Sequence, residues 1–201
     1  MTRYGFLVDT YATERVKVLS VWSQFADSDL SVRPHREDKR GRSVHEHFVH
    51  QCVSEDFWFK TMLGIDVGRS ALPEVEDRMS FLEHYAGCSE LREDALNIQP
   101  EAWFEESVNF FDTRRSRAWV LTRRIAHTAH HRGQQTTMLR QLGRVLHSTY
   151  GPTADTGGLM QDRAPTLYPY TDVDSLLEGE RSGGRKSELP VPPGRPVTER
   201  P

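Results

Sequence analysis

Residues 127–143, "HTAHHRGQQTTMLRQLG", place three histidines within five positions of a pattern that otherwise reads as plain amphipathic helix. No proline interrupts it, and Gly143 stands where a helix stop is expected. On such a helix His127 and His131 lie one turn apart on one side, the spacing that lets two imidazoles reach a single metal ion. The face carrying His131 also carries Val120, Thr128, Gln135, Met138 and Leu142, and is the one expected to meet the rest of the fold. His130 shares its side with Arg123, Ala126, Thr137 and Gln141, a wetter surface, so the candidate pair is His127 and His131. An H-x-x-x-H pair alone is common helix-surface chemistry, and a metal site needs at least one more ligand from elsewhere.

The stretch "SVHEHFVHQCVSEDFWF", residues 43–59, offers that ligand. Ser43 and Glu46 form the S-x-x-E of a capping box and Gly64 is placed as a stop, which predicts a helix over 43–63. His45 and Glu46 open a metalloprotease-like string, but position 49 is valine, so the H-E-x-x-H motif is absent. His50 sits deepest in the helix and shares its face with Val53, Phe57 and Trp58, which predicts that it points inward, whereas His45 and His47 read as polar residues of the helix entry. Cys52 reads as a small buried hydrophobe.

Working outward, Phe6, Val8, Tyr11, Val16, Leu19, Trp22 and Phe25 predict a first helix from Gly5 to about Ala26. A third covers "EVEDRMSFLEHYAGCSELREDALNI", residues 74–98, and a fourth starts near Asp112 or Thr113 and ends at Gly143. "SVRPHREDKRGR" is a solvated loop, and "EAWFEESVNFF" is an acidic, aromatic connection without a clear period. Four amphipathic helices without alternating strand patterns predict an all-α fold, a four-helix bundle. The domain spans residues 1–162. Seven of the eleven prolines, Pro193, Pro196 and Pro201 among them, lie beyond it, so residues 163–201 read as a disordered tail in which "TLYPYTDVDSLL" docks loosely at most.

With 27% charged residues and a formal net charge of −3, the chain has no global basic field, which argues against a nucleic-acid partner despite the local "TRRSRAW" and "LTRR". Two cysteines, Cys52 and Cys88, are too few for a disulfide framework, and the N-terminus lacks signal-peptide order, so a cytoplasmic protein with reduced thiols is expected. No apolar run approaches the roughly 20 residues needed to span a bilayer.

His50, with an acid five positions on and Trp58 eight positions on, together with the HxxxHRGQ string that begins at His127, resembles the DinB/YfiT-like metalloenzymes. The resemblance covers roughly residues 1–160 and has no counterpart for the tail. It implies a divalent metal held inside a four-helix bundle by three histidines, which fall on His50, His127 and His131. Zinc, nickel, iron and manganese all accept imidazole, so the metal's identity stays open. The resemblance further implies a transferase acting on a low-molecular-weight thiol, such as bacillithiol or mycothiol, and an electrophile, in a homodimer. A metal-dependent hydrolase and a non-catalytic metal-binding stress protein, its site closed by His47 or His130, remain the alternatives.

For the helpers, Arg123, Arg124 and Arg132 read as solvated or paired with acids such as Glu55 and Asp56. Gln134 and Glu46 are candidates to orient an imidazole, and Phe57, Trp58 and Trp119 are candidates to line an apolar pocket over the site.

Overall fold

The computed structural model describes residues 3–192 together with Gly194 and Val197; Pro193, Pro196 and Pro201 lie outside the described residues. The chain is mostly helical, with one small antiparallel sheet. Its long helices are α1 (Gly5–Trp22), α2 (Val44–Trp58), α3 (Arg78–Asn97) and α5 (Arg117–Gln141), with a short α4 (Glu101–Glu105) before the sheet. α1 packs against α3 and α5, and α2 packs against α5.

Capping chemistry sets the start of α2 as the sequence predicts. Ser43 Oγ accepts from the Glu46 amide at 3.1 Å while Glu46 Oε2 accepts from the Ser43 amide at 2.8 Å. The helix then continues through a π-helical turn, Phe59–Leu63, and stops at Gly64, whose φ of 73° a side chain would oppose.

The last long helix begins later than expected. Residues Ser107–Phe110 (β1) and Thr113–Ser116 (β2) pair as a hairpin with Phe110 opposite Thr113, and Phe111 takes a φ of 52° in the two-residue loop. Asp112 and Thr113 are therefore turn and strand, and Ser116 caps α5 by accepting from the Trp119 amide at 3.2 Å. Two four-residue strands are too short to announce themselves by alternation.

Apolar burial falls into two clusters. One gathers Val18, Leu19, Trp22, Phe48, Phe81, Tyr85 and Leu139; the other gathers Leu7, Tyr11, Trp58, Phe59, Leu96 and Leu121. Every long helix contributes to both, and each crosses from one to the other through buried polar residues: Glu14 on α1, Glu55 on α2, Arg92 on α3, and Arg124, His131 and Arg132 on α5. A polar layer thus divides the core.

The expectation of a disordered tail from residue 163 is corrected by what lies there. α6 (Val173–Arg181) packs on α3, with Leu176 only 2% exposed and part of the first cluster. Asp172 caps it, accepting from the Ser175 amide at 2.7 Å, and Val173, Leu176 and Leu177 form its apolar stripe. Glu180, nearly buried, meets Arg78 at 2.6 Å and Lys186 at 2.7 Å. Leu167 and Ser148 exchange hydrogen bonds of 2.8 and 2.9 Å, tying the approach segment to the loop after α5. One helix of nine residues among prolines and glycines does not shift the composition, so a compositional reading passes over it.

Truncation after residue 162 should therefore lower the melting temperature. Burial of Leu176 alone is worth about 1.5–3 kcal/mol, and with the Glu180 ion pairs removed a drop of about 5–10 °C is expected for a chain of this size. A melting curve that does not move would show that α6 does not hold to the body of the protein.

Candidate metal centre

α2 and α5 bring His50, His127 and His131 together, with one potential ligand nitrogen from each lying within 4.8 Å of the other two. His127 Nε2 and His131 Nε2 are 3.2 Å apart. Two nitrogens bound to one ion at about 2.05 Å with a tetrahedral angle stand about 3.3 Å apart, so this donor set fits a single divalent cation. The ring centres of His50 and His131 are 4.5 Å apart, and those of His50 and His127 5.3 Å.

The face assignments of α5 hold in detail, and those of α2 hold less well. Val120, Thr128, His131, Gln135 and Met138 are buried and His130 is exposed, as their positions on α5 predict. On α2 the buried side runs through Val44, His47, Phe48, Gln51, Cys52, Glu55 and Trp58. His50 is half-buried at its margin, and Val53 and Phe57 are exposed. His47 is accordingly a core residue rather than helix-entry polarity. Its ring centre is 5.5 Å from that of His131, yet it lies outside the three-histidine set, as does His130. His45 turns away to meet Glu76 at 2.7 Å.

Several partners hold the three rings. Gln134 Oε1 accepts from Nδ1 of His131 at 3.0 Å, which leaves the Nε2 lone pair facing His127. Trp58 stacks along His127, ring centres 5.6 Å apart at 28°. The Arg124 guanidinium lies 5.7 Å from the centre of that same indole. Trp58 is thus the aromatic residue that lines the site, whereas Trp119 and Phe57 are exposed, Trp119 resting against Phe110 of the hairpin. Glu46 orients no imidazole; it is engaged by Ser43 and by Arg33 at 2.6 Å. Arg124 and Arg132 are both buried and paired, with Glu55 at 3.4 Å and Glu14 at 2.5 Å. A groove of about 490 Å³, lined by Arg42, Val49, His50 and Val53, opens beside the triad. Through it the site reaches solvent.

The local field keeps the imidazoles neutral. Burial, reinforced by the Arg42 charge, lowers His47 and His50 to about 4. Burial with the Arg124 charge lowers His127 to about 3, and burial with the His127 charge lowers His131 to about 3. Neutral rings are the metal-binding form, so at pH 7 there is no proton to displace.

Residues 6–158 match a model of the DinB family. Two solved structures share the fold: a DinB-like protein of Bacillus cereus, 18% identical with a TM-score of 0.62, covering 72% of this chain and 95% of that one; and a DinB-like protein of Bacillus subtilis, 14% identical with a TM-score of 0.54, covering 70% and 94%. No curated protein matches the chain.

Two outcomes are expected at this centre. The metal-free protein should lose stability as pH falls from about 6.5 toward 4 and 3, because the unfolded chain takes up protons there that these folded histidines refuse; a divalent ion should offset part of the loss. Thermal melts across that range with and without metal check it. By elemental analysis, His127→Ala and His131→Ala should each abolish tight metal binding and Gln134→Ala should weaken it about 10- to 100-fold, while His45→Ala should leave it intact. Full metal content in the double variant His127→Ala/His131→Ala would overturn the assignment.

Proposed function

The chain belongs to the DinB family, and from that premise we propose that it is a metal-dependent transferase built on a four-helix bundle of α1, α2, α3 and α5. Its metal ligands are His50, His127 and His131, and its substrates a low-molecular-weight thiol and an electrophile. The observation that carries this reading is the set of three neutral imidazoles, two half-exposed and one buried, beside a groove that opens to solvent. Three protein ligands leave coordination positions for a substrate, whereas a purely structural site closes with four.

A divalent cation at this place favours the thiolate form of a thiol that reaches it. The chain's own residues hold and shape the site. Gln134 sets the tautomer and orientation of His131. Trp58 covers one face of His127 and keeps water from that side. Arg124 supports Trp58 from below while its guanidinium is held by Ser54 at 2.9 Å and Thr128 at 3.1 Å. In the overall transfer the thiolate sulfur bonds to the electrophilic carbon, and the leaving group departs with the electron pair of the broken bond. The thiol proton passes to solvent.

Metal-loaded protein incubated with a panel of thiols and electrophiles, followed by mass spectrometry, should form metal-dependent conjugates, with bacillithiol or mycothiol outperforming free cysteine because remote contacts position the sulfur. His131→Ala should abolish turnover while helix content by circular dichroism stays near that of the parent, since apolar burial dominates helical stability. Conjugates absent with every thiol would overturn the transferase reading. Hydrolysis of the electrophile without thiol would replace it with metal-dependent hydrolysis.

A further inference from the structure

A second cavity, of about 260 Å³, lies away from the histidines between α1 and the segment C-terminal to the family match. Val16, Lys17 and Ser20 of α1 form one wall, and Tyr168, Tyr170 and Leu176 belong to the other. The volume falls just under the roughly 300–1,000 Å³ of drug-sized ligand sites, so its natural occupant is a small molecule.

Polar groups around it are spent except at one place. The Tyr170 hydroxyl donates to Glu180 at 2.5 Å. Asp172 accepts from the Ser175 amide at 2.7 Å and from the Thr171 hydroxyl at 3.0 Å. Ser20 Oγ, by contrast, has no hydrogen-bond partner although Ser20 is only 3% exposed. Such a group ordinarily finds a partner when buried.

The charge around Lys17 is also out of balance. Lys17 Nζ meets Glu14 at 3.0 Å, and Arg132 Nη1 meets the same carboxylate at 2.5 Å. All three side chains are at least 87% removed from solvent, Lys17 being the most exposed at 13%. Both cations also lie over the Tyr150 ring, at 4.4 and 4.6 Å from its centre. Among the described residues neither meets a second carboxylate. Two positive charges and one negative leave an excess of one at the cavity wall. Buried charge of this kind calls for a counter-charge.

We propose that this cavity binds a small organic monoanion, its carboxylate against Lys17 and the Ser20 hydroxyl and its apolar body against Val16, Tyr168 and Leu176. The site is separate from the metal centre and depends on the C-terminal segment, so it belongs to this chain's extension rather than to the part that matches the family model.

Phenylacetate and its uncharged counterpart phenylacetamide test this, titrated into the full chain with and without bound metal by calorimetry and ligand-observed NMR. Phenylacetate should bind saturably at millimolar concentration, and phenylacetamide about tenfold more weakly, because a charge-assisted contact is lost. Lys17→Gln should bring phenylacetate down to the level of the amide. Ser20→Ala should weaken it several-fold, and Val16→Phe should fill the space and remove binding, all with unchanged helix content and metal content. Removing the metal should change nothing. The proposal is overturned by no saturable phenylacetate binding, by equal affinity for acid and amide, by an undiminished response in Lys17→Gln, or by binding that vanishes with the metal and so belongs to the histidines.

Discussion

The Glu55 carboxylate is wholly buried, and four side chains from three other helices converge on it. Tyr11 of α1 donates to Oε1 at 2.7 Å and Tyr85 of α3 to Oε2 at 3.1 Å. Arg92 of α3 lies 3.6 Å away and Arg124 of α5 3.4 Å away. A carboxylate in this position is tolerable only while it stays paired and hydrogen-bonded, since losing one partner of a buried ion pair typically costs about 3–5 kcal/mol. Relative to an apolar core such a network adds little stability. What it does impose is register: α1, α3 and α5 each have to present one particular residue to one point on α2.

That register is what assembles the metal centre. Arg124 reaches Glu55 from a position one helical turn before His127, and Glu55 lies just over one turn after His50. The same pairing of α2 with α5 that satisfies Glu55 therefore brings His50 level with His127 and His131. Trp58 joins the two, in contact with the Arg124 guanidinium and with the His127 ring. Both belong to the polar layer between the apolar clusters, where Arg132 and Glu14 continue the pattern toward the cavity beside Lys17. The site and the buried ion pairs are one structural layer, which accounts for the many arginines on a helix that also carries three histidines.

The C-terminal extension completes the body rather than hanging from it. Glu180 fastens α6 to Arg78 of α3, and His147 Nε2 meets the carbonyl of Ser187 at 2.9 Å. A short amphipathic helix without other anchors is marginal in water, so its order comes from these contacts and from the apolar surface of α3 on which it lies.

The helices α1, α2, α3 and α5 were legible in the sequence because apolar periodicity and capping residues are local signals, and the Ser43–Glu46 box appears as written. His127 and His131 were legible for the same reason, since their alignment follows from helix geometry alone. His50 could be chosen as the third member, but the reason for choosing it was partly wrong: it sits at the edge of the buried face, and His47 is the interior one. Which side of α2 becomes interior depends on where α5 and α3 press against it, and no local period records that. The hairpin at 107–116 and α6 escaped notice because each is too short to carry a period and takes its stability from partners distant in sequence. Tertiary structure alone also decided that Arg124 and Arg132, which look like solvent-facing charges, are buried, because the carboxylates that make this tolerable, Glu55 and Glu14, lie on other helices. The sequence by itself thus determined which segments are helical and which two imidazoles align; only packing decided which polar residues meet, because that depends on distances between helices that no single helix encodes.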